Sequence, residues 1–97
     1  MIIGSCKIYL EAEWVFSLKD KRMIVKSLVE KIRHKFNVSV AEVENNDIHK
    51  SIVIGIACVT NETSHADSII NNVINFIENN TDAVIVDVIM EIFWFLL

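Results

Sequence analysis

Proline is missing from this sequence, and glycine occurs only twice, at Gly4 and Gly55. A chain so poor in turn formers is expected to be mostly regular secondary structure. Cysteine is scarce too. Cys6 and Cys58 lie far apart, form no C-x-x-C, and sit in apolar runs, which points to buried free thiols. The three histidines, His34, His49 and His65, show no H-x-x-x-H spacing, so no metal or cofactor is expected. No secretory signal opens the chain, since Met1-Ile2-Ile3-Gly4 runs straight into an alternating strand. A cytoplasmic protein is therefore expected, and the sequons at Asn37, Asn61 and Asn79 have no meaning for glycosylation. A membrane-length apolar run is also absent. The last fifteen residues, AVIVDVIMEIFWFLL, are too short to cross about 30 Å of hydrocarbon as a helix, and Asp87 and Glu91 interrupt them. They read as a strand, and no membrane partner is expected.

What is present is a strongly patterned chain, 53% apolar, of a length that makes one domain over residues 1–97. Such a chain buries roughly 60–65% of its unfolded surface, enough for one modest core. Over residues 2–12, Ile2, Gly4, Cys6, Ile8, Leu10 and Ala12 alternate with Ile3, Ser5, Lys7, Tyr9 and Glu11, the period of a half-buried strand. Ser17 then opens a helix, with Asp20 three residues on as a weaker version of the capping box. Leu18, Val25, Leu28, Val29, Ile32 and Phe36 keep helical spacing, and Asn37 is a plausible stop. Burying five or six such side chains contributes on the order of 10 kcal/mol before entropy is set against it. VSVAEVE at 38–44 reads as a strand, NND at 45–47 as a turn, and SIVIGIACVT at 51–60 as a central strand, where Gly55 marks a close approach. Ser64 and Asp67 repeat the cap spacing before a second helix whose inner side holds Ala66, Ile69, Ile70, Val73, Ile74 and Ile77. NNTD at 79–82 turns the chain into a last strand from about Ala83.

The order strand, helix, strand, strand, helix, strand predicts an α+β, ferredoxin-like βαββαβ domain. Right-handed crossovers place both helices on one face of a four-stranded antiparallel sheet, with the second and fourth strands at its edges.

Charge is unevenly spread over this frame. The chain is net −4, yet residues 19–35 hold seven of its nine bases and two of its acids, which makes that segment +5 and the remainder −9. The opening of the segment, SLKDKR at 17–22, is the densest part. At 100° per residue, Lys19, Arg22, Lys26 and Arg33 fall in one stripe about 60° wide, away from the apolar stripe centred on Ile32 and Val25. Only Glu30 interrupts it, and the second helix has no Lys or Arg. A solvated outer face would explain such charges. The sharper expectation is an anion-binding ridge, with Lys19, Lys21, Arg22, Lys26 and Arg33 as candidate nucleic-acid contacts and the two arginines able to grip two phosphate oxygens each. Four phosphate contacts imply a log–log salt slope of roughly 3. The acidic remainder would orient docking of a polyanion.

SLKDKR, FNVSVAEVE at 36–44 and TNETSHAD at 60–67 together resemble the YlxP-like family of small bacterial proteins, over residues 1–92. The resemblance implies a ferredoxin-like fold of unknown function. Genes of this family are often found beside those for translation initiation and ribosome maturation, which implies by association a role near RNA or the ribosome. The family's S-L-K-x-K-R block falls on Ser17, Leu18, Lys19, Lys21 and Arg22. The chain departs from its relatives in having EWVF at 13–16 where they carry a small Pro/Gly-containing loop, and in its longer apolar tail, FWFLL.

Other chemistries find little support. Base stacking on the sheet needs aromatics on the central strands, and only Tyr9 is available. Acylphosphatase shares the topology, but EAEWVFSL at 11–18 has neither the glycines nor the arginine of a phosphate loop. His65 near Asp67 is better explained by capping and the helix dipole, no serine lies in G-x-S-x-G, and neither cysteine has an evident base, so no catalytic residue is assigned. Trp14 and Phe16 precede the basic helix. Phe16 is expected to staple onto Lys21 or Ile24, while an exposed Trp14 could stack on a base. The last strand is expected to be an apolar edge, with Val84, Val86, Val88, Met90 and Ile92 on one face and Ile85, Ile89, Phe93 and Phe95 on the other. Such an edge suits a homodimer through Val88, Met90, Ile92, Phe93, Trp94 and Phe95, unless the tail folds back over its own core. The sequence thus predicts a non-enzymatic accessory protein that touches structured or ribosomal RNA. The alternative is a small regulatory or scaffold dimer that binds a protein or metabolite at its interface.

Overall fold

The computed structural model describes residues 1–95. Six elements follow in the expected order: β1 (Ile2–Glu11), α1 (Leu18–Lys35), β2 (Ser39–Glu44), β3 (Ser51–Thr60), α2 (Thr63–Asn80) and β4 (Val84–Trp94). The four strands form one antiparallel sheet in the order β2-β3-β1-β4, so the arrangement is α+β and ferredoxin-like, with β2 and β4 at the edges. Long-range pairing dominates: Cys6 lies opposite Ile56 and Ile8 opposite Ile54 across the two central strands.

The core lies between the sheet and the helices. Strand alternation sends Ile2, Cys6, Ile8 and Leu10 of β1 and Ile52, Ile54, Ile56 and Cys58 of β3 to the same side. Val25, Leu28 and Ile32 of α1 and Ala66, Ile70, Val73 and Ile77 of α2 close over them. Close packing explains both glycines. A Cβ on Gly4 would lie 3.0 Å from Ile70 Cδ1 and 3.2 Å from Ala66 Cβ, so α2 sits against bare β1 backbone. A Cβ on Gly55 would lie 2.6 Å from Val43 Cγ1, because β2 bulges between Glu42 and Glu44 and leans Val43 over β3.

The local signals hold at α1 and fail at α2. Ser17 has extended backbone angles, and its Oγ accepts from Asp20 N at 3.1 Å. The helix runs to Lys35 and is capped by Phe36, one residue before Asn37. The second helix begins at Thr63, with Glu62 as a cap that makes no side-chain bond. Ser64 is therefore inside the helix and does not cap it. Asp67 instead accepts from Asn71 Nδ2 at 3.2 Å, one turn on. The faces of β4 are also corrected. A register shift opposite Tyr9 and Leu10 inserts Val86 as an extra residue, so Ile85 shares the core side with Val88 and Ile92, while Val84 and Val86 are exposed. Leu96 and Leu97 lie outside the described residues, and with them the end of the expected tail. Among the described residues no helix is long and apolar enough to cross a membrane.

Candidate nucleic-acid interface

The ridge on α1 is built by periodicity. Val25, Leu28 and Ile32 turn one stripe of the helix onto the sheet, which leaves Lys19, Arg22 and Lys26 exposed on the opposite side. No carboxylate among the described residues lies within ion-pair distance of any of the three. None of the three is therefore locked in an ion pair, although Glu30 stands one turn from Lys26 on the same surface, and the paired bases lie elsewhere. Lys7 holds Glu44 at 3.1 Å on the far face of the sheet, and Lys50 lies 3.8 Å from Glu13. The hydrogen bond from Lys7 to Glu44 raises its ammonium pKa, which favours the charged lysine.

Lys21 is not part of the ridge. It is 1% exposed, the one buried charged residue of the described chain. Its Nζ donates to Asn45 O at 2.5 Å and to Ile48 O at 2.8 Å, and it sits 2.8 Å from Glu42 Oε2. Two carbonyl acceptors and one carboxylate ion-pair partner from the β2–β3 hairpin thus surround one ammonium, as burial of a charge requires. Asn45 is left-handed, at φ 58°, in the turn whose carbonyl meets the lysine. The spacing of Lys21 to Val25, Leu28 and Ile32 is i, i+4, i+7, i+11, which places it inside the buried stripe. That spacing was the available signal, and Glu42, on the inner face of an edge strand, was its missing partner.

Arg33 stands at the other end. One guanidinium nitrogen donates to Val40 O at 3.1 Å, so the side chain is partly committed to the edge of β2. At the N-terminal end, Phe16 does not staple. It is 79% exposed, with Lys50 Nζ 5.7 Å from its ring centre. Trp14 is 45% exposed and lines a groove with Met23, Ile24 and Ser27, next to the ridge. The structure therefore keeps Lys19, Arg22 and Lys26 exposed on α1, turns Trp14 into a groove shared with Asn80 and Asp82 and Phe16 toward Lys50, and sends Lys21 inside.

The far face of the sheet has a different character. An open groove of about 610 Å³ runs over the small residues Ala41, Gly55 and Ala57. Its two cations are engaged, Lys7 by Glu44 and Arg33 in part by the Val40 carbonyl, and Glu91 stands at its wall, which makes it a poor seat for a polyanion. The cysteines offer no nucleophile either. Burial pushes the Cys6 thiol up to about 11 and raises that of Cys58, so both are protonated at neutral pH. No group of three or more His, Cys, Asp or Glu among the described residues is placed to hold a metal.

The fold and this surface define a small ferredoxin-like α+β protein with a basic helix on an acidic body. Residues 3–90 match the family described as "Protein of unknown function (DUF503)", and the chain belongs to that family. It is 32% identical over 63 residues to "Uncharacterized protein YlxP" of Bacillus subtilis (strain 168), a match that covers 65% of this chain and 68% of that protein.

Proposed function

We propose that this chain is a non-enzymatic accessory protein of the cytoplasm that docks on structured RNA, including ribosomal RNA, through the outer side of α1. The observation that carries the reading is the set Lys19, Arg22 and Lys26, exposed along one side of a helix with no carboxylate partner among the described residues. Spaced cations suit the repeating charge of a phosphate backbone. Trp14 and Phe16, exposed in the loop that leads into the same helix, supply rings on which an unpaired base can stack. The acidic remainder of the chain repels a polyanion from every other approach and so fixes the docking side.

The test is RNA retention by Arg22→Glu combined with Lys26→Glu. Both positions are exposed, so folding should be intact and RNA retention abolished. For the wild-type chain, three phosphate contacts predict a log–log salt slope of about 2–3. Retention unchanged by the double substitution overturns the ridge. The exposed strand β4 favours a second reading, a small regulatory or scaffold dimer that takes a protein or metabolite at its interface. RNA retention indifferent to salt, with dimerisation intact, would select it.

A further inference from the structure

The two edges of the sheet are finished differently. The β2 edge is six residues long and bulged, and its Val40 carbonyl is taken by Arg33. These are devices that blunt an edge. β4 is eleven residues long, and only its first part is treated this way. There, Asp87 Oδ1 accepts from Val88 N at 2.8 Å and occupies that amide.

The direction of the remaining groups follows from one pair. Phe95 N donates to Met1 O at 2.9 Å, and Phe95 O accepts from the Met1 amino group at 3.2 Å. Antiparallel ladders alternate, so Phe93, Glu91 and Ile89 also bond to β1, opposite Ile3, Ser5 and Lys7. The N–H and C=O groups of Met90, Ile92 and Trp94 therefore point away from the sheet. Beside them, Ile89, Met90, Phe93, Trp94 and Phe95 are all exposed.

We propose that a second copy of this chain pairs antiparallel with this edge, with Ile92 on the two-fold axis, to make one continuous eight-stranded sheet. Four neighbouring registers use outward-facing groups, and the one centred on Phe93 pairs only Ile92 with Trp94 within the described residues, so it forms fewer bonds. The one centred on Met90 needs the Val88 amide that Asp87 already occupies. The one centred on Glu91 sets two carboxylates directly opposite each other, which is destabilising. The register centred on Ile92 avoids both. It sets Met90 opposite Trp94 of the partner subunit on the helix side, and Ile89 opposite Phe95 of the partner subunit on the other side, each contact occurring twice. Trp94 is 70% exposed, yet its indole is held by a bond from Nε1 to Thr63 Oγ1 at 3.3 Å, so the ring is placed to receive a methionine sulfur. Each Glu91 then faces Phe93 of the partner subunit. About six inter-chain backbone bonds form, at Met90, Ile92 and Trp94 of each copy. The complementarity is of the strand to itself, which is why the occupant is another copy. This inference stands on β4 alone and is independent of the RNA reading.

Sedimentation equilibrium at about 100 μM protein tests it, with an expected mass twice the 11.1 kDa of one chain. A single-chain mass overturns it without recourse to any variant. Oxidative crosslinking then tests the register. Ile92→Cys should form a disulfide-linked dimer, since Cα atoms of a hydrogen-bonded pair lie about 5.5 Å apart, within disulfide reach. Met90→Cys should not, because its counterpart lies four residues along, roughly 13 Å away. Crosslinking through Met90→Cys with none through Ile92→Cys overturns the proposed pairing. The wild-type chain is the control, as its own two thiols are buried.

Discussion

The two helices are of equal length, eighteen residues each, and bury stripes of identical spacing. In α1 the stripe is Lys21, Val25, Leu28, Ile32; in α2 it is Ala66, Ile70, Val73, Ile77. Lys21 and Ala66 thus occupy the same place in each half, under the first turn. Ala66 is small because α2 must approach Gly4, 3.2 Å from where that residue's Cβ would be. Lys21 is long because α1 must reach the β2–β3 hairpin, whose two carbonyls and Glu42 it binds. The halves share an apolar frame and differ in what fills the first position. They also differ outside: α1 shows cations to solvent and α2 shows none. The repeat explains the fold twice over, but it explains the ridge and the buried lysine not at all.

The largest effect should come from breaking the difference at the buried position. Lys21→Ala leaves Glu42 and two carbonyls without their cation and should cost about 3–5 kcal/mol in urea unfolding. Lys21→Met combined with Glu42→Leu removes both charges and should cost far less, or nothing. If the single and double variants unfold at the same urea concentration, the pair is not what stabilises this corner. In the other half, Ala66→Leu should cost about 1–3 kcal/mol by overpacking against β1. The caps come next. Ser17→Ala should cost about 1 kcal/mol, whereas Glu62→Ala should change thermal stability by less than about 0.5 kcal/mol, since Glu62 makes no side-chain cap bond. Equal losses at both caps would remove this contrast between the helix starts. The smallest effect on stability, within about 0.5 kcal/mol, belongs to Arg22→Glu with Lys26→Glu, although it should carry the largest effect on RNA retention.

Much of the fold was legible because its signals are local and periodic. Alternation marked β1, and a run apolar on both faces marked β3 as central. Where the structure differs, the cause is non-local at Val86, Phe16 and Lys21 and positional at the start of α2. The bulge at Val86 answers to pairing with β1, which no pattern within β4 announces. Phe16 is left outside by the path of the loop, with Lys50 from a distant segment over its ring. The cap of α2 lies at Glu62, two residues before Ser64, because Ser64 and Asp67 only copy the Ser17 and Asp20 spacing, while the buried stripes align Glu62 with Ser17. Of the proposed contacts, Lys19, Arg22 and Lys26 are where the sequence placed them, at the surface, and Trp14 takes the exposed alternative that the sequence left open. Arg33 is half engaged at the β2 edge, and Lys21 has left the group.

By itself the sequence determined the six elements, their order, the edges of the sheet and the gathering of positive charge on one helix, because each depends on residues close in the chain or on a fixed period. Which lysine faces water and which is locked beneath a hairpin was decided only in three dimensions. The carboxylate that accepts Lys21 comes from a strand twenty-one residues away, and only folding brings the two within 2.8 Å.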